Sequence, residues 1–344
     1  MRGRNISAII LIAVTISVSS FSFYIYQVIY SPNILVGRES AYLKIPTGSG
    51  FRDVQKIIAE QKIAGDMLAF SFLAKLMKYD QNVKPGRYRI VPGMSNRQLI
   101  HLLRSGNQTP VRITFNNIRL LEELPEKICR DIEIDSGNLR SFIKDPKTSE
   151  KYGFDQDNFI GMFIPNTYEV YWDITRDELL DRMKKEYDDF WNSNRLEKCR
   201  EIGLTSLEVN VLASIVKAEC YHKEEAPVIA GLYINRINKN MRLEADPTVV
   251  FANKDFSIRR VLDKHKEIDS PYNTYKYIGL PPGPINMPEI VYLDAVLNYT
   301  KHKYLYMCAR DDFSDYHNFT SSYAEHLKNA SRYSRALNRE KIFK

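Results

Sequence analysis

From Ile6 to Ile29 the chain carries no ionised side chain, and its residues are mostly apolar or small. A helix of about 20 such residues crosses a hydrocarbon layer. Arg2 and Arg4 precede the run, which favours a cytoplasmic N-terminus with everything after Ser31 outside. A cleaved signal peptide is the rival. Its apolar core is normally shorter and ends at small residues, whereas this run continues through Phe21, Phe23, Tyr24, Ile25, Tyr26, Val28 and Ile29. The expectation is a retained single-pass anchor (residues 6–29) in the cell (inner) membrane, behind a short cytoplasmic N-terminus (residues 1–5).

Of the 344 residues 44% are hydrophobic and 26% charged, which describes a folded chain with room for two or three domains. The net charge of +7 raises the question of nucleic acid. No basic block is interleaved with aromatics as in a single-strand platform, and an extracytoplasmic address argues against it further. Cys129, Cys199, Cys220 and Cys308 form no C-x-x-C pair, so neither a zinc ribbon nor a dense disulfide framework is indicated. One bridge stays open outside the cytosol.

Past the anchor, Tyr42–Ile45 alternates like a strand, and Gly48-Ser49-Gly50 separates it from Val54, Ile57, Ile58 and Ile63 at helical spacing. A second apolar helix covers 67–77, Lys84–Ile90 reads as a turn into a strand, and Gly93-Met94-Ser95 opens a helix carrying Leu99, Leu102 and Leu103. Val111–Phe115 starts a second region, with a helix expected over about 120–131, a loop and strand edge at Phe163–Tyr168, and a charged amphipathic helix over 177–191. Thr205-Ser206-Leu207-Glu208 is a capping box. Pro227 sits in a first helical turn, with Val228, Ile229, Leu232 and Tyr233 as the buried face. Gly279–Pro284 is a rigid loop, and the run Arg332–Lys344 is an exposed helix or frayed tail.

Glu219 is the leading chemical candidate. At 3.6 residues per turn it falls on the stripe of Leu212, Ile215 and Val216, so its charge is poorly solvated and its pKa rises. That is how a glutamate becomes a general acid near neutral pH. A packed structural acid shares the same pattern. Glu208 lies on the same stripe, but the first turn gives it a capping role. Asp246, before Pro247 and Thr248, reads from the bare residues as a turn cap. Tyr272-Asn273-Thr274-Tyr275 suits a carbohydrate groove or an ordinary loop. Glu219 and His222 make one Glu-x-x-His; His317, Glu325 and His326 complete neither H-E-x-x-H nor a cysteine site, so no metal is expected. Nucleophile motifs are absent.

The series Leu212–Glu219, Ala230-Gly231-Leu232-Tyr233-Ile234-Asn235-Arg236, Met241-Arg242-Leu243 with Asp246-Pro247-Thr248, Tyr272-Asn273-Thr274-Tyr275 and Gly279–Ile285 resembles the endolytic murein transglycosylase family, also called YceG-like. Phe163–Tyr168 and His317-x-Phe319 with Ala324-Glu325-His326 extend the resemblance, and the N-terminal unit resembles the LysM-like module of these proteins. Lys217 stands where the family usually has a second glutamate. Asn286-Met287-Pro288 displaces an amide by one position, and Asn116-Asn117 replaces an expected Pro-Glu-Gly.

The resemblance implies an α+β protein: a transmembrane helix, a LysM-like module (residues 40–106), an intermediate α+β region (110–200) and a mixed α/β catalytic domain (201–344). It implies a lytic transglycosylase, a carbon–oxygen lyase acting on polysaccharides. Such an enzyme cleaves the MurNAc–GlcNAc bond inside nascent peptidoglycan strands to leave 1,6-anhydroMurNAc ends, and terminates glycan elongation. Glu219 is then the catalytic acid and base. Asp246, Tyr272, Asn273 and Tyr275 shape the substrate groove. No cofactor is called for, and the partners are glycan strands, the membrane and peptidoglycan synthases. A catalytically silent wall-binding scaffold and a water-using muramidase are the alternatives.

Overall fold

The computed structural model describes residues 2–36 and 40–340. The last four residues of the expected C-terminal run therefore lie outside the described residues, as does the first residue of the cytoplasmic segment. The helices and strands make a mixed α+β fold behind an N-terminal apolar helix. In chain order the first elements are α1 (Arg2–Tyr30), β1 (Ala41–Ile45), α2 (Phe51–Glu60), α3 (Met67–Leu76), β2 (Gly86–Ile90), α4 (Asn96–Ser105) and β3 (Val111–Phe115). There follow α5 (Leu124–Ile128), α6 (Ser136–Lys144), α7 (Pro146–Lys151), β4 (Asn166–Val170), α8 (Arg176–Phe190) and α9 (Ser193–Ile202). The last are α10 (Ser206–Glu219), α11 (Ala226–Asn238), α12 (Asp246–Asn253), α13 (Asp263–Lys266), α14 (Ile290–Leu297), β5 (Tyr306–Ala309), β6 (His317–Thr320) and α15 (Tyr323–Arg339). The strands form three two-stranded sheets, β1–β2, β3–β4 and β5–β6.

Two compact units emerge. The first runs to Arg112 and takes in Asp131–Ile134 and Glu169–Ile174; the second holds Ile113–Arg130, Asp135–Tyr168 and the chain from Thr175 onward.

In the first unit β1 and β2 are antiparallel, with Leu43 opposite Tyr88 and Lys44 opposite Arg87. The two-residue period puts Leu43, Ile45, Tyr88 and Ile90 in the core and leaves Tyr42, Lys44 and Arg89 exposed. α2, α3 and α4 close that core with Val54, Ile58, Phe70, Leu73, Leu99 and Leu103. Val28, in the last turn of α1, belongs to the same core. Buried Asn96 donates from Nδ2 to the Val28 carbonyl at 3.0 Å, and Asn33 donates to Asn96 Oδ1 at 2.8 Å. An orphan carbonyl at the end of α1 is thereby satisfied by the folded unit.

The second unit is built around α10, which packs on α9, α11, α12 and α14. Val209–Val216 are buried without a break, as expected for a helix covered on all sides. Thr205 and Glu208 form the capping box read from the sequence: Thr205 Oγ1 accepts from the Glu208 amide at 3.2 Å, and the Thr205 amide donates to Glu208 Oε2 at 2.7 Å. Under the Phe163–Tyr168 element, Phe115 packs on Phe163 and Tyr168, and the Tyr168 hydroxyl donates to the Ile164 carbonyl.

The sequence reading departs from the structure in several places. The helix expected over 120–131 is a 3₁₀ turn, Leu121–Glu123, running into the short α5, with Pro125 in that helix's first turn. Ile63 lies past the end of α2, next to the bridge between Ile34 and Ala64. α10 stops at Glu219, so Glu219 and His222 do not share a helical face; the His222 ring stacks on Tyr316 and its Nε2 meets the Ser314 carbonyl at 2.8 Å. All four cysteines are free thiols, so the bridge left open by the sequence does not form.

Loss of the Thr205 cap tests the start of α10. Thr205→Ala is expected to destabilise the protein by about 1 kcal/mol, read as a lower urea midpoint with unchanged slope in tryptophan emission.

Candidate active site

Glu219 is the last residue of α10 and faces a cleft of about 630 Å³. The residue keeps part of its surface on the cleft while its carboxyl is enclosed by protein. Burial pushes the pKa up from 4.5 to about 8, and the nearby charge of Asp246 pushes in the same direction. The negative end of the α10 dipole also disfavours an ionised carboxyl here. One contact opposes these effects: the Tyr233 hydroxyl donates to Glu219 Oε1 at 3.2 Å.

Each neighbouring sequence block has a physical task at this point. In α11, a Cβ at Gly231 would sit 2.4 Å from the Thr300 carbonyl oxygen, so only glycine lets that segment pass. Tyr233, two residues on, reaches Glu219. Asn235 donates to the carbonyls of His302 and Tyr304 at 2.9 and 3.0 Å. The buried Arg236 guanidinium gathers the carbonyls of Leu305, Arg242 and Leu243 together with the Glu244 carboxylate. Loop and strand are thus tied to the helix that carries Tyr233.

Asp246 opens α12 and lines the cleft with Glu219. It does not cap the turn as its bare sequence suggests: Ala245 occupies the N-cap position, and the Asp246 carboxylate instead accepts from the Tyr275 hydroxyl at 2.7 Å. Thr274 Oγ1 accepts from the Ala245 amide at 3.0 Å and lies 2.8 Å from Thr248 Oγ1. The Asp-Pro-Thr and Tyr-Asn-Thr-Tyr blocks therefore hold each other. Asn273 is wholly buried; its amide donates to the carbonyls of Lys266 and Ile268 at 2.8 Å each, and its Oδ1 accepts from the Tyr275 amide at 3.1 Å. It braces the loop from behind, which corrects the expectation of a groove-facing amide. Tyr272 is also buried, donates to Asp157 Oδ1 at 3.3 Å, and lines a neighbouring hollow of about 360 Å³ rather than the Glu219 cleft. Burial pushes the hydroxyls of Tyr272 and Tyr275 well above their ordinary range, so both remain donors.

The Gly-Leu-Pro-Pro-Gly-Pro-Ile loop is fixed on two sides. A Cβ at Gly283 would lie 2.0 Å from the Asp157 carbonyl oxygen, and the Ile285 amide donates to Ser214 Oγ at 3.0 Å inside α10. Asn286 follows, lines the cleft and donates to the Ser214 carbonyl at 2.8 Å. The one-residue displacement seen in the sequence thus leaves an amide beside Glu219. Lys217 also lines the cleft, and its ammonium donates to the Met287 carbonyl at 2.9 Å and pairs with Glu289 at 3.2 Å. It is not among the groups that shift Glu219.

Asn117, Arg119, Phe256 and Arg259 complete the cleft, with the Arg119 guanidinium over the Phe256 ring at 4.3 Å. The sequence singled out Asn117 only as a departure from an expected Pro-Glu-Gly and the other three not at all, because they come from loops whose approach to Glu219 is a tertiary event. Tyr233 did carry a signal, since a tyrosine on a buried helix face needs a partner for its hydroxyl. Among the described residues no three His, Cys, Asp or Glu side chains gather as metal ligands. The Cys220 thiol, next to Glu219 in the chain, is pushed up to about 11 by burial and stays protonated.

One enclosed carboxyl on the wall of an open cleft is suited to acid–base chemistry on a large substrate. Residues 43–332 match the YceG-like family, and the chain belongs to it. It is similar to the endolytic murein transglycosylase of Bacillus subtilis, 28% identical over 311 residues that cover 85% of this chain and 84% of that protein. The protein of the same name from Streptococcus pneumoniae is 27% identical over 302 residues, 77% of this chain and 53% of that one. The chain thus spans about half the length of that streptococcal relative. A crystal structure of a yceG-like protein from Listeria monocytogenes superposes with a TM-score of 0.56 at 25% identity, covering 85% of this chain and 99% of that one.

Two predictions follow from the carboxyl's environment. The native Glu219 holds its proton up to about pH 8, whereas the unfolded residue releases it near 4.5, so wild-type stability falls as pH rises through that window. Glu219→Gln is expected to match the wild-type melting temperature below pH 4.5 and to exceed it above pH 8. In a carbon-13 titration of the Glu219 carboxyl, Tyr233→Phe should raise the pKa by removing the stabilising donor. Asp246→Asn should lower it by removing the like charge.

Proposed function

We propose that the protein is a membrane-anchored lytic transglycosylase that cleaves the MurNAc–GlcNAc bond within peptidoglycan strands, with Glu219 as acid and then base. The raised pKa of Glu219 in an open cleft carries this reading, and the family and its named relatives supply the substrate class. Protonated Glu219 gives its proton to the departing glycosidic oxygen as the bond to C1 breaks. The resulting carboxylate takes the proton of the muramic acid C6 hydroxyl while that oxygen closes on C1, leaving a 1,6-anhydro end and restoring the acid. No water enters.

The nucleophile is tethered to the substrate, so its effective concentration is high. The second carboxylate that a glycosidase uses on water or as a nucleophile is then unnecessary. Burial, aided by the charge of Asp246 that Tyr275 holds in place, keeps Glu219 protonated near neutral pH. Tyr233 moderates that effect and stabilises the carboxylate formed midway.

Residues 40–106 are read as a LysM-like glycan-holding module, supported by the β1–α2–α3–β2 order and the antiparallel β1–β2 pair. The apolar helix Ile6–Tyr30 is read as the anchor, with an extracytoplasmic active site that caps nascent strands beside the synthases.

Mass spectrometry of purified glycan strands incubated with the full chain tests the reaction. Anhydro-terminated fragments are expected, with a loss of about 10²-fold or more in Glu219→Gln. The rate at low substrate should fall as pH rises through about 8, where the acid form is lost. Water-added products would indicate a muramidase, and intact strands a binding scaffold.

A further inference from the structure

The first unit leaves one helix face uncovered beside the end of the anchor. α3 buries Ala69, Phe70, Leu73 and Ala74 in the unit's core. Its opposite side presents Leu68, Phe72 and Leu76, spaced four residues apart, at 83%, 56% and 65% exposure. Positions so spaced form a stripe along the helix. Leu35, at 66% exposure, lies in the segment after α1, and its backbone amide bonds to the carbonyl of Ile63, shortly before α3. Scattered exposed leucines are ordinary, but an aligned stripe on an otherwise apolar helix marks a contact surface.

The position of α3 identifies what covers it. The apolar helix Ile6–Tyr30 has 25 residues, about 37 Å at roughly 1.5 Å each, against a hydrocarbon core of about 30 Å. Its last turn therefore emerges at the headgroups. That turn is already inside the folded unit: Val28 lies in the core, α1 packs on α3 and α4, and Asn33 accepts from the amide of Asp66, the N-cap of α3, at 2.8 Å. No free linker separates the bilayer from the unit.

We propose that α3 lies in the surface of the same bilayer that α1 crosses, with Leu68, Phe72 and Leu76 sunk among the outer ends of the acyl chains. The inference rests on the reading of α1 as a membrane span. Such helices lie in the interface plane with the apolar face buried by about 5–10 Å. Lys75, exposed in the last turn of α3, extends its ammonium to anionic lipid phosphates while its stem stays in the apolar layer. A span with an interfacial helix packed beside its end would fix both the height and the tilt of the first unit on the membrane, where a lone span leaves the tilt free.

Tryptophan depth measurement tests this in the full chain reconstituted into phosphatidylethanolamine–phosphatidylglycerol vesicles. Phe72→Trp and Val14→Trp are each compared with the native background of Trp172 and Trp191. Leu76→Trp is a second reporter should the first perturb α3. The expected result is blue-shifted emission at position 72, quenched by lipids brominated near the headgroup, and emission at position 14 quenched only by lipids brominated deeper in the chain. Solvent-like emission at 72 with deep quenching at 14 would overturn the docking of α3 and leave the anchor intact. Emission at 72 shielded from aqueous quencher yet untouched by brominated lipid would put a protein partner on the stripe and overturn the proposal too. Absence of lipid quenching at both positions would overturn the anchor reading and the docking with it.

Discussion

The site depends on one carboxyl held at the end of a helix that is buried along almost its whole length. A glutamate can be enclosed in this way only if the surrounding structure is rigid, because an ionised carboxyl would otherwise draw in water or swing out. α10 meets that condition through its capped first turn, the uninterrupted burial of Val209–Val216, and Ser214 at its centre. Ser214 is polar and fully buried, and its hydroxyl both donates to the Val211 carbonyl and receives the Ile285 amide. The helix therefore positions Glu219 and the proline-rich loop together.

The remaining blocks act as a frame around that proton. Tyr233 and Asp246 influence Glu219 in opposite senses, and each is held by its own network: Tyr233 by the α11 contacts of Gly231, Asn235 and Arg236, Asp246 by Tyr275. Much of what looks like a sugar-binding motif is internal bracing. Asn273 and Thr274 have no free polar surface to offer a ligand, and Tyr272 serves an adjoining hollow. Asn117, Arg119, Glu123, Lys217, Arg259 and Asn286 line the cleft with polar side chains instead.

At the other end of the chain α1 and the rest of the first unit form one piece. The last turn of α1 contributes Val28 to the core and receives a side-chain donor from Asn96. This junction joins α1 to the first unit without an intervening free segment.

Patterns whose physics is local were legible in the sequence: the apolar run of α1, the alternation of β1, the apolar composition of α3, the amphipathic pattern of α8, the capping box of α10, and the placement of Glu219 on an apolar face. Periodicity and caps depend on near neighbours, so one chain suffices to read them. α6, α7 and α9 escaped notice because their helices are set by proline, caps and packing rather than by long periods. Only the tertiary structure decided that Asp246 is held by a tyrosine rather than capping a turn, that Lys217 turns to Glu289, and that Tyr233 meets the acid. A pKa depends on which groups converge in space and how much water they exclude. The sequence alone therefore identified the carboxyl, and the fold determined how tightly it keeps its proton.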